Sequence, residues 1–60
     1  MYEKIDKLLK EQNITPYRMC KDLSLPTSSA TAWKQGQYNP SITTLKKIAD
    51  YFGVTVDYFL

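Results

Sequence analysis

The sequence predicts an all-α domain of five short helices, and three observations carry that prediction. Apolar residues recur at the helical period in each segment, proline, glycine and asparagine fall between the segments, and no strand-length alternation interrupts them. At 60 residues the chain makes one domain, residues 1–60. A chain this short buries only about 60% of its unfolded surface, so its core must be well filled. It has no staples to help: one cysteine, Cys20, excludes an intrachain disulfide, and the absence of histidine leaves too few ligands for structural zinc.

Tyr2, Ile5, Leu8 and Leu9 share one side of a first helix at about 2–12, with Glu3, Lys4, Asp6, Lys7 and Lys10 around the rest. Asn13 is a tolerable exit, and Ile14 is expected to plug the gap that follows. Thr15 then caps and Pro16 opens a second helix at about 16–23, because a missing N–H costs nothing at the first helical position. Its stripe is Met19, Cys20 and Leu23, and it is too short to hold without packing.

After Ser24-Leu25, Pro26 restarts helical geometry for a third helix at about 26–35, which Gly36 stops. With Thr27 at zero and about 100° per residue, Ala30, Trp33 and Ser29 fall at about 300°, 240° and 200°, the inward edge. Thr31, Ser28 and Ala32 fall at about 40°, 100° and 140°, so Thr27, Ser28, Thr31 and Ala32 make a small, neutral outer face. Gln37-Tyr38-Asn39-Pro40 is a loop, and Ser41 caps a fourth helix at about 41–52 with Ile42, Leu45, Ile48, Ala49 and Phe52 inward. Gly53 closes it, Val54 plugs, Thr55 caps, and Val56 to Leu60 form a last helical turn or two.

Charge is unevenly spread along a chain of net +2. Residues 15–49 carry five basic side chains against Asp22 alone, whereas the two ends carry three lysines against five acids. A basic middle suits a polyanion-facing surface, although an ordinary solvated surface has the same look. Enzymatic chemistry is not expected: histidine is absent, Cys20 is placed in the core, and no paired acids or phosphate-cradling loop are present. No cofactor, metal or small-molecule ligand is implied. No apolar run approaches the roughly 18 residues of a membrane span, and the lone thiol suits a reducing cytoplasm.

Two short helices, a tight turn and a polar outer face on the second make a helix-turn-helix, whose second helix enters the major groove of double-stranded DNA. Small outward side chains let that backbone approach closely; hydroxyls meet base edges, and methyls of threonine and Ala32 meet thymine methyls. Trp33, at the inward edge, is expected in the core rather than stacked on a base. Lys34, at the end of the helix, is placed to contact phosphate.

Leu23-Ser24-Leu25, Trp33-Lys34-Gln35-Gly36, Asn39-Pro40-Ser41, Thr44 to Asp50 and Phe52 to Tyr58 together resemble the phage-repressor and Cro type of helix-turn-helix domain (lambda-repressor-like, xenobiotic-response-element type). The resemblance runs from about Ile5 to Leu60. It implies a compact five-helix domain on operator DNA, a symmetric homodimer, and transcriptional regulation from the cytoplasm of a bacterial or phage-infected cell, at the nucleoid. Carried over by position, base reading falls to Thr27, Ser28 and Ala32, with Thr31 between them. Backbone anchoring falls to Thr15, Pro16 and Tyr17 at the second helix and to Gln37, Tyr38 and Asn39 after the third.

The chain departs from that pattern in four places. Pro16 stands where a glutamine is usual, Ser24 where the turn has glycine, and Ala30 where the inward residue is a larger aliphatic. Leu9 and Lys34 replace an arginine–glutamate bridge. Val56, Tyr58 and Leu60 cluster as the expected dimer surface. A different reading of the same fold is a protein-binding module, an antitoxin or docking domain, for which DNA contact is secondary.

Overall fold

A computed structural model describes residues 1–60 as four α-helices, α1 (Tyr2–Glu11), α2 (Pro16–Asp22), α3 (Ser28–Lys34) and α4 (Ile42–Phe52). A single 3₁₀ turn at Val56–Phe59 closes the chain, and there is no strand. α3 packs on α2 and α1, and the 3₁₀ turn packs on α1 and α4, within a body of 23 × 22 × 19 Å.

Two helices begin as the sequence indicates. Thr15 Oγ1 accepts the Arg18 N–H at 3.1 Å with Pro16 inside the first turn, and Ser41 Oγ accepts the Thr44 N–H at 3.2 Å. Such caps contribute about 1 kcal/mol each. The third helix starts later than Pro26, at Ser28. The Ser29 N–H reaches only the Pro26 carbonyl, three residues back at 3.0 Å, and the Thr27 side chain makes no cap bond. Proline therefore sets a turn that leads into the helix and is not its first residue.

All four helices end in the same way. Each has a left-handed residue, just after the cap in α1, α2 and α3 and at the cap itself in α4, and the N–H groups of that residue and the next bond back to carbonyls inside the last turn, the Schellman arrangement. The left-handed residues are Asn13 (φ 56°), Ser24 (φ 57°), Gly36 (φ 76°) and Gly53 (φ 72°). The longer back-bonds are Ile14 N–H to Leu9 at 2.9 Å, Leu25 to Cys20 at 2.8 Å, Gln37 to Ala32 at 3.0 Å and Val54 to Ala49 at 2.9 Å. Ile14 and Val54 thus plug the gaps as expected, and Leu25 does the same after α2; all three pack on the core. Ser24 takes up the left-handed angle in place of glycine, at a steric cost that glycine would escape.

The core joins Ile5, Leu8 and Leu9 of α1, Met19 and Cys20 of α2, Ala30 and Trp33 of α3, Leu45, Ile48, Ala49 and Phe52 of α4, and Phe59. Burying each large aliphatic or aromatic among them contributes about 1.5–3 kcal/mol. Trp33 is buried, but its indole N–H has no partner. Ile42 departs from the expected inward stripe and is 55% exposed. Its angle on the wheel is right, but it is the first residue of α4, at the helix end.

The expected fifth helix is a 3₁₀ turn. Tyr58 N–H bonds to Thr55 and Leu60 N–H to Asp57, each three residues back at 3.1 Å. Thr55 precedes the turn in extended backbone without a side-chain cap bond, so nothing supports the costly first α-turn. Phe59, 3% exposed, pins the segment instead.

The backbone turns generate a paired prediction. A Cβ at Gly53 would meet no atom within 4 Å, so Gly53→Ala tests the left-handed angle alone and is expected to cost about 1 kcal/mol in urea unfolding. Ser24→Gly is expected to act in the opposite sense and stabilise by up to about 1 kcal/mol, since it relieves the same strain. Equal effects of one sign from both would contradict this account.

Candidate nucleic-acid interface

The turn between α2 and α3 determines which side of α3 is free. Leu25 is drawn back toward the core by its bond to Cys20, and α3 then lies with Ser29, Ala30 and Trp33 buried. Thr27, Ser28 and Thr31 are exposed on the other side, and Ala32 is partly exposed. Beside them runs an open groove of about 470 Å³ lined by Ser28, Thr31, Ala32, Gln35, Gln37 and Tyr38. The outer face and the loop after α3 therefore form one surface.

That surface repels no anion. From Leu23 to Ser41 the chain carries no acid and one lysine, Lys34. The nearest acid, Asp22 at the end of α2, is engaged elsewhere. Arg18 Nε donates to its two oxygens at 3.3 and 3.1 Å, and the Tyr51 hydroxyl of α4 donates to Oδ2 at 2.7 Å. The Tyr51 hydrogen bond, then Arg18, hold the Asp22 carboxyl below its usual range. The same bond pushes the Tyr51 hydroxyl above its own.

A family profile described as Cro/C1-type helix-turn-helix DNA-binding domain matches residues 4–58. The chain belongs to this family. A curated relative, the HTH-type transcriptional activator BcrR of Enterococcus faecalis, is 29% identical over 58 residues. That alignment takes in 97% of this chain but only 28% of the relative. No solved structure gives a significant match.

In this Cro/C1-type domain the residues singled out from the sequence fall into three places. Ser28, Thr31, Ala32, Gln37 and Tyr38 share the α3 groove, with Thr27 exposed at its front. Thr15, Pro16 and Tyr17 open α2; Tyr17 is 61% exposed, and the Thr15 oxygen already accepts the cap bond while its O–H is free to donate. Lys34 and Asn39 do not line the groove. They line a separate hollow of about 420 Å³ with Trp33, Gly36 and the start of α1. Lys34 sits on that side because it falls at about 340° on the wheel, between Thr27 and Ala30.

The sequence reading misses Gln35, which lines the groove. The signal was present: its wheel angle is about 80°, between Thr31 and Ser28. The expected dimer residues are also divided. Leu60 is 69% exposed, whereas Val56 and Tyr58 are half-buried against the core. Tyr58 meets Phe59 edge-on at 5.4 Å, and Lys4 Nζ lies 5.9 Å from its ring centre.

Cys20 is fully buried, and burial pushes its thiol up, away from the reactive thiolate. No group of three potential metal ligands gathers, and no helix is long and apolar enough to cross a membrane.

The Asp22–Tyr51 bond gives a pH prediction. A carboxyl held low contributes stability above its unfolded value of 3.8 and loses it as pH falls through its folded value. A phenol held high contributes below 10.0 and loses it as pH rises through its folded value. Tyr51→Phe is therefore expected to lower the denaturant midpoint at neutral pH, with the deficit shrinking below pH 3.8 and above pH 10.0. A deficit constant from acid to alkali would show that the hydroxyl bond is not its cause.

Proposed function

We propose that this domain is the sequence-specific duplex-DNA-binding part of a transcriptional regulator of phage-repressor type, with α3 laid in the major groove of an operator. The observation that carries the reading is the acid-free, small-residue outer face of α3, fixed outward by Ala30 and Trp33 in a Cro/C1-type domain. A helix about 10–12 Å across fits a groove about 12 Å wide, and seven residues at about 1.5 Å rise run about 10 Å along it, enough to engage a few base pairs. Thr27, Ser28, Thr31 and Ala32 meet base edges. Thr15, Tyr17, Gln37 and Tyr38 hold the backbone on either side, with Pro16 setting the start of α2, while Lys34 and Asn39 reach the phosphates from the far side of α3. These phosphate contacts supply most of the affinity and its salt dependence.

A face without arginine reads each base weakly, so the domain works as a homodimer on a two-fold operator. Leu60 is the free apolar residue of the pairing surface, with Val56 and Tyr58 supporting it from the core side. Bound in the bacterial cytoplasm to host or phage DNA, the dimer regulates by occluding a promoter or by recruiting to it. A domain of this fold that docks proteins instead would leave the α3 face unused on DNA.

Binding to mixed-sequence duplex at low and moderate salt separates the two. The domain is expected to bind at low salt and weaken steeply as salt rises. Lys34→Ala should weaken all sequences alike and flatten the log–log salt slope by about 1. Thr31→Glu, on an exposed position, puts an acid on that face and should weaken binding to every duplex while leaving the fold intact. No binding even at low salt would overturn the DNA reading in favour of protein docking.

A further inference from the structure

Gln35 and Gln37 form the one hydrogen-bonded side-chain pair within the α3 groove, and the backbone anchoring assigned above to Gln37 gives Gln35 no role. Gln37 Nε2 donates to Gln35 Oε1 at 2.9 Å, across the left-handed turn at Gly36. Both side chains are exposed, so water supplies the same partners and the bond adds little to stability. It brings the two amides together in the groove. At the other three helix ends the residue after the left-handed turn is apolar and packs on the core: Ile14, Leu25 and Val54. Only after α3 is it polar, and there it turns outward, into the groove beside Ser28, Thr31 and Ala32.

The paired amides leave the Gln35 Nε2 donor and the Gln37 Oε1 acceptor free. Exchanging oxygen and nitrogen in both amides again leaves one donor nitrogen and one acceptor oxygen outside the bond. In the major groove adenine shows an acceptor, N7, beside a donor, the N6 amino group; guanine shows two acceptors, cytosine a donor, thymine an acceptor and a methyl. The free donor and acceptor match adenine. Within the same groove, the methyls of Thr31 and Ala32 suit the methyl of thymine.

We propose that Gln35, held by Gln37, is a base-reading residue for an adenine at the C-terminal end of α3, and that the whole face is built for A·T pairs. This rests on the DNA-binding reading above and adds to its four base-reading residues a fifth, together with the base that it chooses.

The test is selection of bound duplexes from a random library with the unaltered domain, Gln35→Ala, Gln37→Ala and Gln35→Glu. The unaltered domain is expected to enrich an A·T pair by about tenfold or more at one position of each half-site. Gln35→Ala should lose preference at that position alone, Gln37→Ala should weaken it there, and Gln35→Glu should move it toward cytosine, whose amino group donates to a carboxylate. Replacing that adenine by 7-deazaadenine should weaken the unaltered domain and leave Gln35→Ala unaffected. A motif unchanged in Gln35→Ala, with all sequences weakened alike, makes Gln35 a phosphate contact and overturns the proposal by itself. Failure of the unaltered domain to enrich any motif overturns the DNA reading, and this proposal falls with it.

Discussion

Helices of seven to eleven residues do not hold in water by themselves, so the left-handed turn that ends each of them governs this fold. Each turn satisfies the last carbonyls of its helix and reverses the chain. At Asn13, Ser24 and Gly53 the next residue returns to the core as Ile14, Leu25 or Val54. The helices thus acquire their tertiary partners within two residues of ending. That locality is how 60 residues without disulfide or metal fill a core.

The same device, altered once, shapes the surface of interest. After α3 the returning residue is Gln37, so the chain stays outside and carries Tyr38 along the groove. The opposite side of α3 is committed to the core through Ala30 and Trp33, which orients the outer face. The long-range polar tie lies elsewhere, between Asp22 of α2 and Tyr51 of α4. It fastens the helix before the turn to the scaffold behind it and keeps a carboxylate occupied close to an otherwise acid-free segment.

Much of this was legible in the residues. Thr15-Pro16 and Ser41 announce caps, Gly36 and Gly53 announce stops, and the 3.6-residue period separates Trp33 from Thr31 without reference to any fold. Ser24 was not legible as a left-handed residue, since serine reaches that angle only under tertiary pressure. Nor was the Asp22–Tyr51 bond, whose partners are 29 residues apart with no local pattern to connect them. Pro26 reads as a helix start because proline suits both a first turn and the bend before it. Ile42 shows that a wheel gives direction and not depth: a stripe continues to the helix end whether or not a partner reaches that far. Gln35 is a different case, because its angle placed it on the outer face from the start.

The central claim is that the outer side of α3 and the loop after it form the surface that meets duplex DNA. Titrating the isotopically labelled domain with a bound duplex and following its backbone amide resonances tests that claim most directly. The account predicts that the largest shifts fall on Thr27 to Tyr38 and on Thr15 to Tyr17, with the core of α4 little changed. Shifts confined to Leu60 and the 3₁₀ turn, or to the outer side of α1, would contradict it.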